Sequence, residues 1–163
     1  QPPTPLRKIK ILKPVQAVHG DSSASLLPSE DGFSISVDVD FSPKLPRQRL
    51  RYSKEEFLEH VSSARTFTFE SWISDMRAAG MALGGSYENA LVFDDNGDIV
   101  NPPVRFPDEW ARHKLLDCIG DLSLVGAPIE GHYVAHKPGH TINFHLVKQI
   151  FDSPPNTVAI LES

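Results

Sequence analysis

The sequence predicts an α+β fold, a two-layer sandwich in which two main helices pack on one face of a mixed β-sheet. Residues 33–41 alternate strictly between apolar and polar side chains, which is typical of a strand with one buried face. Two longer segments, 107–126 and 140–151, have the pattern of amphipathic helices. Strands and helices are interspersed without the regular repeat of a parallel α/β fold, so we expect a mixed sheet.

Local signals predict the shorter elements in chain order. One strand with a kink at Pro14 is expected over 9–18, and further strands are expected at 25–27, 48–52, 65–69, 89–93 and 131–137. The segment Ser53-Lys54-Glu55-Glu56 is a capping-box pattern and predicts the start of a short helix. Another helix is predicted over 70–79 and ends at Gly80.

Length and composition limit the class of protein. At 163 residues the chain is expected to form one domain, and its net charge of −5 argues against nucleic-acid binding. The single Cys excludes an internal disulfide framework. No apolar run approaches the length of a membrane-spanning helix, so we do not expect an integral membrane protein. The first residue is Gln1 and not Met, which leads us to expect a piece of a longer protein.

The long helix over 107–126 carries a polar stripe with metal-binding side chains. Its first turn contains Glu109, which complements the helix dipole. His113 and Asp117 are four residues apart, so they share one helix face and can occupy two positions of a zinc shell. Asp121 lies one turn further, and Lys114 lies at the edge of the stripe. Two ligands do not make a site, so a hydrogen-bonded surface pair is the alternative.

Three other polar positions allow both a chemical and an ordinary interpretation. His140 at the start of the last helix can act as a general acid beside a carboxylate such as Asp121, or it is an exposed loop histidine. The Thr66 hydroxyl can stabilise an oxyanion, or Thr66 is simply a strand former. His132 and His136 alternate on one strand, and they are either ordinary histidines or a source of a further metal ligand.

The segment 70–86 offers an apolar helix face and a glycine pair. Trp72, Ile73 and Met76 share one side of the predicted helix, where they form either ordinary core or the wall of a small apolar channel. The segment Gly84-Gly85-Ser86 lacks the Lys of a phosphate loop, so we reject a nucleoside triphosphate site there. It also lacks the context of a serine hydrolase nucleophile.

Four motifs together resemble a known enzyme family. In order they are Ala64-Arg65-Thr66-Phe67, Leu83-Gly84-Gly85-Ser86, Arg112-His113-Lys114-x-x-Asp117-x-x-Gly120-Asp121 and Gly139-His140. This set resembles the C-terminal domain of the UDP-3-O-acyl-N-acetylglucosamine deacetylases, the zinc enzymes of the committed step of lipid A (lipopolysaccharide) biosynthesis. The resemblance implies a catalytic domain over 9–151, a linker at 1–8 and a loose tail at 152–163. It also implies a small β-α-β insertion at about 67–85.

The resemblance also implies roles for individual residues. His113 and Asp117 would bind Zn²⁺, and Lys114 would contact the substrate beside the metal. His140 would protonate the departing amine, Asp121 would orient and charge His140, and Thr66 would stabilise the oxyanion. Residues matching the passage for the substrate's acyl chain are Phe67, Phe69, Ile73, Gly85, Ser86, Ala90 and Val92. Residues matching the nucleotide contacts are Asp40, Phe41 and Lys137.

One part of the family's machinery has no counterpart in this sequence. In the family, an N-terminal domain supplies the third zinc ligand, a His, and an adjacent Glu that acts as the general base. The pair Glu59-His60 lies before Thr66, at the wrong position for that motif. The resemblance therefore predicts half of an enzyme, inactive alone, that needs an N-terminal deacetylase domain in cis or in trans. It implies a cytoplasmic bacterial protein, or one from a plant organelle of bacterial origin.

Two alternatives to the half-enzyme stay open at this stage. One is a non-catalytic module that binds a nucleotide sugar or an acyl chain and keeps only the fold. The other is a self-sufficient metal hydrolase in which His132 or His136 provides the third ligand.

Overall fold

The computed structural model describes residues 7–162, which form two β-sheets and four α-helices. Seven strands make the larger sheet and two make the smaller one. In chain order the strands are β1 (Arg7–Ile11), β2 (Val15–His19), β3 (Ser22–Leu27), β4 (Phe33–Phe41), β5 (Leu45–Ser53), β6 (Thr66–Phe69), β7 (Ala90–Phe93), β8 (Ile129–His136) and β9 (Val158–Glu162). The helices are α1 (Phe57–His60), α2 (Glu70–Ala78), α3 (Glu109–Leu122) and α4 (His140–Phe151).

Strand β8 lies at the centre of the larger sheet. It pairs with β3 in antiparallel orientation over residues 132–136, and on the other side with β4 in parallel orientation over residues 131–136. β2 lies outside β3, and β5 lies outside β4. β1 pairs in parallel with the first two residues of β8, and β9 pairs with β1 in antiparallel orientation. A Cβ at Gly131 would lie 2.9 Å from Ile11 Cγ1 and 3.0 Å from the Leu27 carbonyl oxygen, so glycine is required at this crowded point.

The fold class predicted from the sequence is confirmed. Helices α3 and α4 pack on the same face of the mixed sheet and on each other. Their buried side chains include Leu115, Cys118 and Leu122 on α3, and Ile142, Leu146 and Ile150 on α4. The apolar residues of β4 that face these helices are Ile35, Val37 and Val39. β4 and α4 have the bounds that their sequence patterns predict.

The chain termini differ from the sequence expectation. The predicted loose tail at 152–163 is wrong for Val158–Glu162, because β9 pairs with β1 along all five residues of that strand. The predicted strand over 9–18 is two strands, since Pro14 has no N–H for a ladder and Thr157 accepts the N–H groups of Leu12 and Lys13. Of the predicted linker at 1–8, residues 7 and 8 belong to β1 and residues 1–6 lie outside the described residues.

The insertion is a separate β-α-β unit, in which β6 and β7 pair in parallel and α2 connects them. Its second strand ends at Phe93, beyond the predicted limit of about 85. No residue of α2 is fully buried, and Trp72 is 46% exposed, so the interpretation of its apolar side as ordinary core is wrong. Among the described helices, none has the length and apolarity needed to cross a membrane.

Candidate active site

The middle of α3 presents an oriented histidine–carboxylate pair. His113 Nε2 lies 3.2 Å from Asp117 Oδ1, and both side chains are mostly buried. The other ring nitrogen, Nδ1, lies 3.0 Å from the Ala64 carbonyl oxygen. Because a carbonyl oxygen only accepts, Nδ1 carries the proton and Nε2 faces Asp117. The backbone just before β6 therefore holds the imidazole in one orientation.

The electrostatics of this pair favour charge on both members. Burial lowers the pKa of His113, but the hydrogen bonds to Asp117 and to the Ala64 carbonyl outweigh it, so the pKa lies above its ordinary value. Burial raises the pKa of Asp117, but the hydrogen bond from His113 outweighs it, so this pKa lies below its ordinary value. Lys114 Nζ adds a second positive charge 3.6 Å from Asp117 Oδ2.

These donors fit two positions of a zinc shell and leave it incomplete. An imidazole nitrogen and a carboxylate oxygen are common zinc ligands, and a carbonyl that accepts the second ring N–H is the usual outer support of such a histidine. Within residues 7–162, His, Cys, Asp and Glu form no group of three or more that could hold a metal ion. Further ligands would have to come from outside the described part of the chain.

A second histidine–carboxylate pair lies where the end of α3 meets the start of α4. His140 Nδ1 lies 2.8 Å from Asp121 Oδ2. The side chain of Asp121 is 12% exposed, whereas that of His140 is 59% exposed. The carboxylate is therefore held in the protein while the imidazole reaches solvent, which is the arrangement a general acid needs to meet a substrate.

Two further residues that the sequence patterns do not predict, Asn143 and Tyr133, lie behind this pair. Asn143 Nδ2 donates to the same Asp121 Oδ2 at 2.8 Å, and the Tyr133 hydroxyl donates to Asn143 Oδ1 at 2.5 Å. Both residues are fully buried. The signal in the sequence was the spacing of His140 and Asn143, which lie three residues apart and so share one face of α4.

The thiol and phenol next to Asn143 stay protonated. Burial raises the pKa of the Cys118 thiol to about 11, and burial also raises the pKa of the Tyr133 phenol far above its ordinary value. Cys118 Sγ lies 3.5 Å from the Tyr133 oxygen. Because the single phenol proton is donated to Asn143 Oδ1, the Cys118 S–H can donate to the phenol oxygen. Cys118 is buried and belongs to this polar cluster.

A buried ion pair fixes the segment that contains Thr66 to the first turn of α3. Arg65 Nε donates to Glu109 Oε1 at 2.9 Å, Arg65 Nη2 donates to Oε2 at 3.1 Å, and the Arg65 backbone N–H also donates to Oε1. Burial raises the pKa of Glu109, but the hydrogen bonds from Arg65 and Arg105 outweigh it and lower the pKa. Glu109 is therefore a buried anchor, not only an acid near the helix dipole. Thr66, which follows Arg65 in the chain, is exposed.

The insertion forms a half-open cavity of about 910 Å³. The structure brings together in its wall most of the residues that the resemblance assigns to the acyl passage, together with Thr66: Phe67, Ile73, Gly85, Ser86, Ala90 and Val92. Phe69 does not line it, because this ring is buried against Trp72 and Phe93, with Lys44 Nζ 4.6 Å from its centroid.

The predicted nucleotide contacts are half-buried and lie at the ends of β4 and β8. The Phe41 ring packs edge-on against Phe67 at 5.2 Å, which connects this group to the cavity wall. Hydrogen bonds from Ser42 and the nearby charge of Lys137 hold the pKa of Asp40 below its ordinary value. Lys137 Nζ lies 3.4 Å from the exposed carboxylate of Asp21.

The histidines of β8 lie on the opposite face of the sheet from α3 and α4. Side chains alternate along a strand, and Tyr133 faces the helices, so His132 and His136 face away from them. The His132 ring lies 2.6 Å and 3.1 Å from the hydroxyls of Ser34 and Ser36, and His136 Nδ1 lies 3.2 Å from Asp38. The expectation that either could join His113 as a third metal ligand is therefore wrong.

A second cavity, of about 810 Å³, opens between the C-terminal half of α3 and the strands β4 and β5. Its wall is largely apolar and includes Phe33, Ile35, Phe57, Leu115 and Ile119. None of the predicted site residues contributes to it. The cavity of the insertion is therefore the one that adjoins the candidate catalytic residues.

Comparison with known proteins connects these features to one family. Residues 2–152 match the family described as UDP-3-O-acyl N-acetylglycosamine deacetylase. The UDP-3-O-acyl-N-acetylglucosamine deacetylase of Psychrobacter sp. strain PRwf-1 is 41% identical over 157 residues, which cover 93% of this chain and 52% of the relative. The enzyme of the same name from Anaeromyxobacter dehalogenans is 45% identical over 156 residues, covering 93% and 50%. The corresponding protein of Citrifermentans bemidjiense is 43% identical over 148 residues, covering 88% and 48%. The chain spans about half the length of the curated relatives it matches.

Proposed function

The chain belongs to the UDP-3-O-acyl N-acetylglycosamine deacetylase family, and from this membership we propose that it is the C-terminal half of a zinc-dependent deacetylase. The proposed reaction removes the acetyl group from UDP-3-O-acyl-N-acetylglucosamine in lipid A biosynthesis. The observation that carries the proposal is the match over 2–152 with both histidine–carboxylate pairs intact, one within α3 and one between α3 and α4. A bacterial cytoplasm, or an organelle of bacterial origin, is the proposed location.

The metal would be held by His113 Nε2 and Asp117 Oδ1, with the third ligand from the other half of the enzyme. When bound, Zn²⁺ would polarise the carbonyl of the substrate's amide and lower the pKa of a water. The hydrogen bond from His113 Nδ1 to Ala64 supports this role, since it keeps Nε2 directed at the site. Lys114, which lies beside Asp117, would contact the substrate next to the metal.

His140 is the proposed general acid. The C–N bond of an amide breaks readily only if the departing nitrogen receives a proton, because an amide anion is too basic to leave. The protonated ring would give its Nε2 proton to that nitrogen, while Nδ1–H stays bonded to Asp121. The Thr66 hydroxyl would donate to the oxyanion that forms on the former carbonyl oxygen.

The cavity of the insertion is the proposed site of the 3-O-acyl chain. Its apolar wall at Phe67, Ile73 and Val92 can bury methylene groups, at about 0.8 kcal/mol each. The half-buried Lys137 just after β8 is suited to bind the diphosphate of a nucleoside diphosphate, and Phe41 connects the two regions by its contact with Phe67. A substrate with one acyl chain and one nucleotide would contact both regions.

A reconstitution experiment tests the proposal. This chain, an N-terminal half from the Psychrobacter relative, and the two mixed would each be incubated with UDP-3-O-acyl-N-acetylglucosamine and Zn²⁺, and released acetate would be measured. We expect acetate from the mixture and none from either half, with His113→Ala abolishing it. Turnover by the isolated chain would contradict the half-enzyme.

The alternative is a non-catalytic module that binds the nucleotide sugar. The incomplete set of metal ligands within residues 7–162 favours it. Two measurements on the natural protein, its intact mass and its deacetylase activity, together distinguish the enzyme from the binding module. A mass near twice that of this chain, with deacetylase activity, supports the enzyme, whereas binding of the substrate without turnover supports the module.

A further inference from the structure

We infer that Asn143 is a positioning residue for His140, and that Tyr133 fixes the orientation of Asn143. Together they hold the Asp121 carboxylate so that Oδ2 accepts the Nδ1 proton of His140. The importance of this arrangement for catalysis rests on the function proposed above. The arrangement itself is a property of the residues and can be tested separately.

The hydrogen bonds have one consistent direction. Cys118 S–H can donate to the Tyr133 oxygen, and the Tyr133 hydroxyl donates to Asn143 Oδ1. Since Oδ1 is used in this way, Nδ2 of the same amide points at Asp121. Asp121 Oδ2 then accepts from Asn143 and from His140, each at 2.8 Å. A turned amide would instead place its Oδ1 against Asp121 Oδ2, so that two acceptors face each other.

Burial makes this orientation effective. Asn143 on α4 and Tyr133 on β8 are fully buried, so no water competes for the amide. Asp121 is almost buried, whereas His140 is mostly exposed and could turn its ring if Asp121 moved. An amide that pins the carboxylate therefore controls which nitrogen of the exposed ring carries the proton.

The consequence concerns the tautomer of the neutral imidazole ring. With Nδ1–H bonded to Asp121, the neutral ring leaves the Nε2 lone pair free, and the protonated ring carries its transferable proton at Nε2. Neutral histidine in water favours the Nε2–H tautomer instead. Loss of the Asn143 contact is therefore expected to let Asp121 turn to solvent and to shift His140 toward the form found in water.

The test is ¹⁵N NMR of the His140 ring in the full 163-residue chain, at a pH where the ring is neutral. We expect mainly the Nδ1–H tautomer in the unmodified chain. Asn143→Leu keeps the side-chain volume and removes the hydrogen bonds to Asp121 and Tyr133. Loss of the bond to Asp121 should change the tautomer ratio by about tenfold toward Nε2–H, the size expected for one lost hydrogen bond. Tyr133→Phe should shift the ratio in the same direction by a smaller factor, because the amide stays but can turn.

Leu146→Ala is the matched control. This buried leucine lies on the same helix and has no polar side-chain atom, so its truncation should lower stability and leave the tautomer ratio unchanged. An unchanged ratio in both Asn143→Leu and Tyr133→Phe would overturn the inference, as would an equal shift in Leu146→Ala. If Asn143→Leu does not fold, Tyr133→Phe decides by itself.

The outcome is separable from the proposed function. If the tautomer shifts as expected but the complete natural protein releases no acetate, the positioning inference stands and the deacetylase proposal fails. If acetate is released, Asn143→Leu in the complete protein should lower kcat and leave KM nearly unchanged, because Asn143 acts on the acid and not on substrate binding.

Discussion

The two ends of α3 each meet a buried polar cluster, and the clusters differ in how completely they are satisfied. At the N-terminal end, the Arg65 guanidinium and the Glu109 carboxylate are both buried. Arg65 also donates to the backbone carbonyls of Tyr87 and Pro103, and Glu109 also accepts the Arg105 backbone N–H. At the C-terminal end, exposure rises from the fully buried Tyr133 to the His140 side chain at 59%.

This difference separates an anchor from a reactive group. The ion pair of Arg65 and Glu109 is closed on all sides, so its consequence is to hold Ala64 and Thr66 in place beside His113. In the second cluster, Tyr133 and Asn143 are fully buried and Asp121 is nearly buried, whereas His140 is largely exposed. Within residues 7–162, His140 Nε2 has no hydrogen-bond partner, so it is available to a substrate. One helix thus combines rigid support at its start with an exposed acid near its end.

The largest effect is expected from Glu109→Ala, which leaves the Arg65 guanidinium buried without its carboxylate. We expect a loss of about 3–5 kcal/mol in the free energy of unfolding, measured by urea denaturation. The exposed pair of Arg7 and Glu162 provides the control, and Arg7→Ala should cost less than about 1 kcal/mol. If the two variants lost similar amounts, the N-terminal cluster would not be an anchor.

A smaller loss is expected from Tyr133→Phe at the C-terminal cluster. The change removes one hydroxyl and leaves Asn143 Oδ1 buried without a donor, at a cost of about 1–3 kcal/mol in urea denaturation. Tyr87→Phe removes a hydroxyl from an exposed ring and should change stability by less than about 0.5 kcal/mol. Equal effects of the two substitutions would show that the Tyr133 contact contributes little.

The middle of α3 should bind zinc weakly in this chain alone. Two protein ligands predict an affinity far below that of a complete site, and His113→Ala should weaken it by at least about tenfold in isothermal titration with Zn²⁺. His145→Ala removes an exposed histidine on α4 and should leave the affinity unchanged. Tight binding that survives His113→Ala would place the metal elsewhere.

The smallest effect is expected for the pH dependence of the stabilisation that the Arg65–Glu109 ion pair contributes. The folded-state pKa of Glu109 lies below its ordinary value of 4.5, because the hydrogen bonds from Arg65 and Arg105 outweigh burial. The pair therefore stabilises the fold fully above the unfolded-state pKa, and this stabilisation is lost as pH falls through the folded-state pKa. The stability difference between the natural chain and Glu109→Gln should narrow between pH 6 and about pH 3. A constant difference in urea denaturation over that range would contradict the assignment.

Several features follow from local sequence alone. The alternation in Phe33–Phe41 determined β4, and the helical pattern from His140 determined α4, because both signals depend on neighbours within a few residues. The approach of His113 and Asp117 was predictable for the same reason, since four residues make about one helical turn. Pattern and spacing were sufficient wherever the contact is local.

Tertiary structure decided the contacts between distant segments. β9 pairs with β1 across about 150 residues of chain, and Arg65 meets Glu109 over 44 residues. The same is true of the face on which His132 lies, because the packing of Tyr133 against the helices sets the direction of every side chain on β8. Such contacts depend on which surfaces meet when the layers pack, and a local pattern of apolar and polar residues contains no information about the partner.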